Sequence, residues 1–127
     1  AGVDVRLGTD GSASNNSLDL RAEAKAASLV QRHDHWDARI LGPEQTWDLA
    51  TKGSQDWVTW DLSDIRMRPF GRDGRRLLSN LIYSGARVLD VFVEGEAVRR
   101  DGRTLTLDED AVAEELEESV TEYYQDV

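Results

Sequence analysis

Two glycines bracket Thr9 and Asp10, and that Gly8–Gly11 turn limits what the start of this chain can be. Ahead of it Val3, Val5 and Leu7 alternate with polar residues, the period-two pattern of a strand with one apolar face over 3–7. The glycines permit a sharp reversal. Ser12, Ala13, Ser14, Asn15 and Asn16 follow as a polar loop, and Asn16 or Ser17 is suited to cap a helix over about 18–32. The pattern therefore predicts strand, turn, loop and helix, with one carboxylate, Asp10, at the strand's end.

Eight-stranded α/β barrels present catalytic residues in this way, but a complete one takes about 250 residues. This chain has 127, enough for one domain with a real core and too few for a whole barrel. It has no cysteine, which excludes disulfides and thiolate metal sites. No apolar run approaches the ~20 residues of a membrane span, and no segment reads as a secretion signal, so a cytoplasmic location is expected. Acidic residues number 25 against 15 basic ones, a net charge of −10, and Lys25 and Lys52 are the only lysines. That balance does not support a nucleic-acid footprint. An acid-rich, lysine-poor surface suits a salt-rich cytoplasm, where screening relieves self-repulsion.

Along the first helix Leu20, Ala24, Ala27 and Val30 or Gln31 fall near one stripe. His33-Asp34-His35-Trp36-Asp37 reads as a polar break. Pro43 suits the first turn of a second helix over about 43–52, with Trp47 and Ala50 inward and Gly53 as its stop. From Asp56 the period changes to two. Residues 57–62 and 87–93 read as strands, Glu94-Gly95 as a tight turn into 97–100, and Asp101-Gly102 as a turn into 104–107. Residues 63–86 read as loop, with a short helix or strand near 77–83. Thr106 and Glu109 resemble a capping box for a last helix over about 108–124, with Val112, Leu116, Val120 and Tyr124 at i, i+4 spacing. The junction at Lys52-Gly53-Ser54 runs from helix to strand with almost no loop. The fold class expected is α+β, divided into 1–54, 55–107 and 108–127.

The run from Leu7 through Asp19, Leu-Gly-Thr-Asp-Gly-Ser-Ala-Ser-Asn-Asn-Ser-Leu-Asp, resembles the signature after the eighth barrel strand in the amidohydrolase superfamily. It is most similar to the branch of S-adenosylhomocysteine/5-methylthioadenosine deaminases and triazine chlorohydrolases. The likeness continues through Leu29-Val30-Gln31, Pro43-Glu44, Ala50-Thr51, Ser79–Ser84, Val91–Gly95 and Arg100–Arg103, in order and over nearly the whole chain. The resemblance implies the terminal strand and helices of a (β/α)8 metal-dependent hydrolase barrel, then part of a β-sandwich domain and a C-terminal helix. It covers only the C-terminal third of such an enzyme. The family's histidine ligands lie upstream of the matched part, and its segment between the counterparts of Ser54 and Gln55 is longer.

The function this implies is hydrolytic removal of an amino or chloro group from a purine-like or triazine-like ring. Asp10 would be a metal ligand, to Zn2+ or to Fe2+, and a proton shuttle, while Ser14 and Asn15 would face substrate. The chain by itself is expected to hold no metal and to be inactive, since zinc needs at least three protein ligands. The plain alternatives are a turn aspartate bonded to its own loop and a helix-capping role for the Ser/Asn run. His33 and His35 match the superfamily's His-x-His only in spelling; near a helix C-terminus they suit the helix dipole. The tryptophans read as core or interface residues, and 108–118 as a solvated acidic face. The expected partners are a small heterocycle in the intact enzyme and other copies of the chain, through exposed apolar surface, with no nucleic acid and no membrane. The competing class is a stand-alone α+β binding or assembly domain without catalysis.

Overall fold

A computed structural model describes residues 2–125. The chain forms two compact units, one of residues 1–54 and 61–86, the other of 55–60 and 87–127. The first is helical and the second is built on an antiparallel sheet, so the fold is α+β.

In the helical unit α1 (Leu20–His35), α2 (Pro43–Thr51) and α3 (Gly74–Ser84) pack on one another, and a turn of 3-10 helix at Ile65–Met67 packs on α3. Their shared core is small: Ala24, Met67, Leu81 and Ile82 are its buried apolar side chains. Asp19, rather than Asn16 or Ser17, caps α1, its carboxylate accepting the N–H groups of Arg21 and Ala22. The helix begins two residues later than its pattern suggests, because Ser17 accepts the Asp19 N–H instead. It also continues through the His33–His35 stretch to a left-handed Trp36, whose N–H meets the carbonyls of Arg32 and His33. The buried stripe accordingly includes Ala24 and Ser28, while Val30 and Gln31 face solvent.

Pro43 starts α2 as expected, and the Gly42 N–H reaches back to Gln45 Oε1 at 3.1 Å. The stretch 63–86, predicted to be mostly loop, contains the whole of α3. Asp73 caps it by accepting from the N–H groups of Arg75 and Arg76. Its last carbonyls are met from α1: Arg21 Nη1 donates to Ile82 O at 3.2 Å and Lys25 Nζ to Tyr83 O at 3.0 Å. Gly85 ends the helix at φ +77°, where a Cβ would sit 3.1 Å from the Arg21 guanidinium carbon.

Residues 3–7, predicted as a strand, have no ladder partner among the described residues. Their link to the helical unit is at the end of α2. Leu7 N–H donates to Leu49 O at 2.9 Å, Arg6 to Lys52 O at 3.1 Å, and Lys52 Nζ to Asp4 at 3.1 Å. Val3 and Val5 are exposed. A strand is defined by its neighbour, and an alternating pattern alone cannot provide one.

The second unit is a meander of four strands in sequence order: β1 (Trp57–Trp60), β2 (Val88–Val93), β3 (Glu96–Arg100) and β4 (Arg103–Thr104). Both hairpin turns behave as their residues dictate. Glu94 and Gly95 lie at φ +52° and +86°, Asp101 and Gly102 at +49° and +80°, the doubly positive geometry that fits the twist of paired strands. Helix α4 (Glu109–Gln125) belongs to this unit. Its cap is Asp108, which accepts from the N–H groups of Asp110 and Ala111, so the Thr106–Glu109 capping box does not form. Glu109 bonds Arg99 and Thr104 instead.

Candidate functional site

The Gly8–Asn16 loop is built around Asp10. Asp10 lies in the left-handed region at φ +58°, a conformation that aspartate tolerates better than most residues. Its Oδ1 accepts the Gly11 N–H at 2.8 Å and its backbone carbonyl accepts Thr9 Oγ1 at 3.2 Å. The Gly11 carbonyl then gathers three donors: Ser14 N–H at 3.0 Å, Asn15 N–H at 2.9 Å and Ser14 Oγ at 3.2 Å. The carboxylate is exposed at the surface of the turn. The local bond of the plain alternative is therefore present, and the second carboxylate oxygen points to no protein donor among the described hydrogen bonds.

Asn15 is the half-buried member of the loop. Its side-chain amide donates to Thr9 O at 3.0 Å and to Glu23 Oε1, on the first turn of α1, at 2.7 Å. Glu23 is the residue at this site that the motif reading passes over. Its signal is an acid in the first turn of a helix, which the helix dipole alone would explain.

Among the described residues no group of three or more His, Asp or Glu side chains comes together as a metal site. His33 and His35 lie on the last turn of α1, where His35 Nδ1 meets the Gln31 carbonyl at 3.1 Å and His33 packs beside the Trp36 ring. That is the helix-terminal reading. One exposed carboxylate does not by itself fit a zinc ion, which takes at least three protein ligands. Of the tryptophans, Trp36 is 88% exposed and so is not a core residue. Trp57 stacks on Phe92 with ring centroids 3.8 Å apart. The Glu side chains of α4 are solvated, as expected, but Val112, Leu116, Val120 and Tyr124 are exposed too. None of the helices among the described residues is long and apolar enough to cross a membrane.

No family model matches the chain. Individual proteins do. The 5'-deoxyadenosine deaminase of Methanocaldococcus jannaschii is 31% identical over 92% of this chain and 31% of its own length. A 5-methylthioadenosine/S-adenosylhomocysteine deaminase of Bacillus thuringiensis is 34% identical over 88% of this chain and 29% of its own. Among solved structures, an adenosine deaminase from Xanthomonas campestris with bound zinc superposes with a TM-score of 0.79 at 28% identity, over 91% of this chain and 30% of that one. By fold and sequence the chain resembles enzymes of the amidohydrolase superfamily. Within it the likeness is to the 5-methylthioadenosine/S-adenosylhomocysteine deaminase branch, and the chain spans about a third of the length of the curated relatives it matches.

Proposed function

We propose that this chain is the C-terminal part of a metal-dependent aminohydrolase that removes the amino group from the purine ring of an adenosine-like nucleoside. The observation that carries the reading is the Leu7–Asp19 motif, in a chain whose relatives are named as deaminases of such nucleosides. Those names favour an amino over a chloro leaving group. In this reading the helical unit, 2–54 with 61–86, completes the barrel, the strands from Trp57 to Trp60 and from Val88 to Thr104 contribute to a β-sandwich, and Glu109–Gln125 is the closing helix.

Asp10 has the chemistry for two duties. A carboxylate at a turn tip can serve as one ligand of a zinc ion, which supplies Lewis acidity when bound. It can also take a proton from the attacking water and return it to the departing amine. Ser14 borders the same turn on the substrate side, while the Asn15 amide, expected there too, is turned to Thr9 and Glu23. The remaining ligands lie outside these 127 residues, and the isolated chain does not turn over.

Zinc content and deamination of adenosine and 5-methylthioadenosine would be measured on the isolated chain and on the product of its complete reading frame. The expected result is zinc and ammonia release in the second alone. Stoichiometric zinc with turnover in the isolated chain would overturn the partial-enzyme reading. A complete product that deaminates neither nucleoside, with zinc supplied, would overturn the activity.

A further inference from the structure

We infer that Asn15 and Glu23 are positioning residues that clamp the Asp10 turn to helix α1. The inference rests on the reading that Asp10 is the working carboxylate, and it adds a part to that machinery. The Asn15 side-chain amide has two hydrogens, and both are engaged. One goes to Thr9 O at 3.0 Å, on the residue immediately before Asp10, and the other to Glu23 Oε1 at 2.7 Å. The first bond joins the two ends of the loop. The second ties that loop to the first turn of a helix whose own start is fixed by the Asp19 cap.

The rest of the turn needs such a tether. Asp10, Gly11, Ser12, Ala13 and Ser14 are exposed, and the bonds among them are local ones that can form and break without reference to the rest of the fold. Asp10 is held at a positive φ that an unrestrained aspartate leaves readily. Asn15 is the half-buried residue within 10–18, and its amide makes the loop's side-chain bond to a helix. A bond from an amide to a carboxylate is charge-assisted, hence stronger than its neutral counterpart. In aqueous surroundings it holds the loop in one register, and with it the direction of the Asp10 carboxylate. Reacting groups misplaced by about 1 Å lose up to ~100-fold in rate, so the fixing of that direction bears on turnover more than on binding.

The test begins with the 127-residue chain itself, labelled with nitrogen-15, and four variants: Asn15→Ala, Asn15→Asp, Glu23→Ala and Glu23→Gln. Backbone order parameters are read at Thr9–Ser14 and, as an internal control, at Ala24–Gln31. Asn15→Ala and Glu23→Ala are expected to lower order in the loop to below ~0.6 while α1 stays near the rigid value of ~0.85. Glu23→Gln keeps an acceptor oxygen in place and retains the order. Asn15→Asp sets two carboxylates against each other, so its loop is loose at neutral pH and tightens as the pH falls through the carboxylate range. A residue with only a packing role would show no such loop-confined pH response. Unchanged loop order in both alanine variants, or an equal loss throughout α1, overturns the clamp.

A second measurement separates this inference from the reading it rests on. In the product of the complete reading frame, Asp10→Asn and Asn15→Ala are assayed side by side. A large loss in Asp10→Asn, with kcat of Asn15→Ala reduced ~10- to 100-fold at nearly constant KM, supports both. Full activity in Asp10→Asn removes the catalytic reading and leaves the clamp to the order parameters. Loss in Asp10→Asn together with unchanged kcat in Asn15→Ala overturns the positioning role.

Discussion

Thr59 and Asp90 hold each other through two hydrogen bonds of opposite sense. Thr59 Oγ1 donates to Asp90 Oδ2 at 2.8 Å and accepts the Asp90 backbone N–H at 3.0 Å. The pairing of β1 with β2 explains why. Val58 faces Val91 and Trp60 faces Val88, so Thr59 alone lies opposite Leu89 and Asp90. At such a bulge the ladder is interrupted, and a side chain has to satisfy the backbone group it strands. The other Asp90 oxygen accepts the Asp101 N–H at 3.0 Å, in the turn between β3 and β4. One carboxylate therefore secures both the bulge and the turn.

That arrangement predicts acid sensitivity. The Asp101 N–H first, and then the Thr59 hydroxyl, hold the Asp90 carboxyl below its ordinary value. Glu109, through Thr104 and then Arg99, is lowered in the same sense within the same unit. A carboxyl lowered in the folded state binds its proton first in the unfolded chain. Its stabilisation is present above the ordinary value of ~4 and is lost as the pH falls through the lowered one. Urea unfolding followed from pH 7 down to about 3 should show stability declining below ~5. Asp90→Asn should be less stable at pH 7 and show a shallower decline. Equal slopes in the two proteins would remove Asp90 from the account.

The helical unit makes a separate prediction at Ser28 and Tyr83, whose oxygens lie 2.6 Å apart. Ser28 is fully buried, and its hydroxyl also donates to Leu41 O at 3.0 Å. With that hydrogen engaged, Tyr83 is the donor to Ser28. Tyr83→Phe leaves no stranded hydrogen on Ser28, and a loss of about 0.5–1.5 kcal/mol is expected, the usual net value of one hydrogen bond. Ser28→Ala should cost at least as much, and the double variant less than the sum of the two. Strict additivity in chemical unfolding would show that the contact contributes nothing.

Charge gives a third. The net charge is −10, and the exposed acids of α4, including Glu114, Glu115, Glu117, Glu118 and Glu122, have no basic residue within their helix. Raising KCl from about 0.01 to 1 M shortens the screening length from ~30 to ~3 Å. Exposed ion pairs such as Lys52–Asp4 weaken, but solvent-screened pairs of that kind contribute little. Relief of net repulsion therefore dominates, and the thermal midpoint should rise with KCl. A flat or falling midpoint would count against a surface adapted to salt.

What could be read from the sequence follows from how local each instruction is. Glu94-Gly95 and Asp101-Gly102 specify their turns by themselves, and the pairing of β2, β3 and β4 follows from them, while that of β1 with β2 across 61–87 does not. The turn read at Gly8–Gly11 forms later, where the Gly11 carbonyl accepts from Ser14 and Asn15 with neither glycine at positive φ, but Pro43 was legible for the same reason. The strand predicted over 3–7 was not, because alternation says nothing of a partner to pair with. Helix α3 was obscured by Pro69, Gly71 and Gly74, although Asp73 as cap, with Leu77, Leu81 and then Ile82 on one face, carried its signal. The role of Glu23 at Asn15 depends on a contact eight residues apart, which no motif spacing announces.

Two apolar side chains, Ile82 and Leu116, differ in what surrounds them. Ile82 is 0% exposed in the small core of the helical unit, where Ala24, Met67 and Leu81 are the other buried apolar residues. Leu116 is on the apolar stripe of α4 and is 63% exposed. Ile82→Ala removes buried methyl groups and leaves a cavity, so a cost of about 2–5 kcal/mol is expected. Leu116→Ala changes little buried area and little helix propensity, so a change within about 0.5 kcal/mol is expected. Urea unfolding of the isolated chain, followed by circular dichroism, checks both. A Leu116→Ala loss as large as that of Ile82→Ala would mean that the α4 stripe is covered in solution, and the exposed helix described above would then be the wrong account of that element.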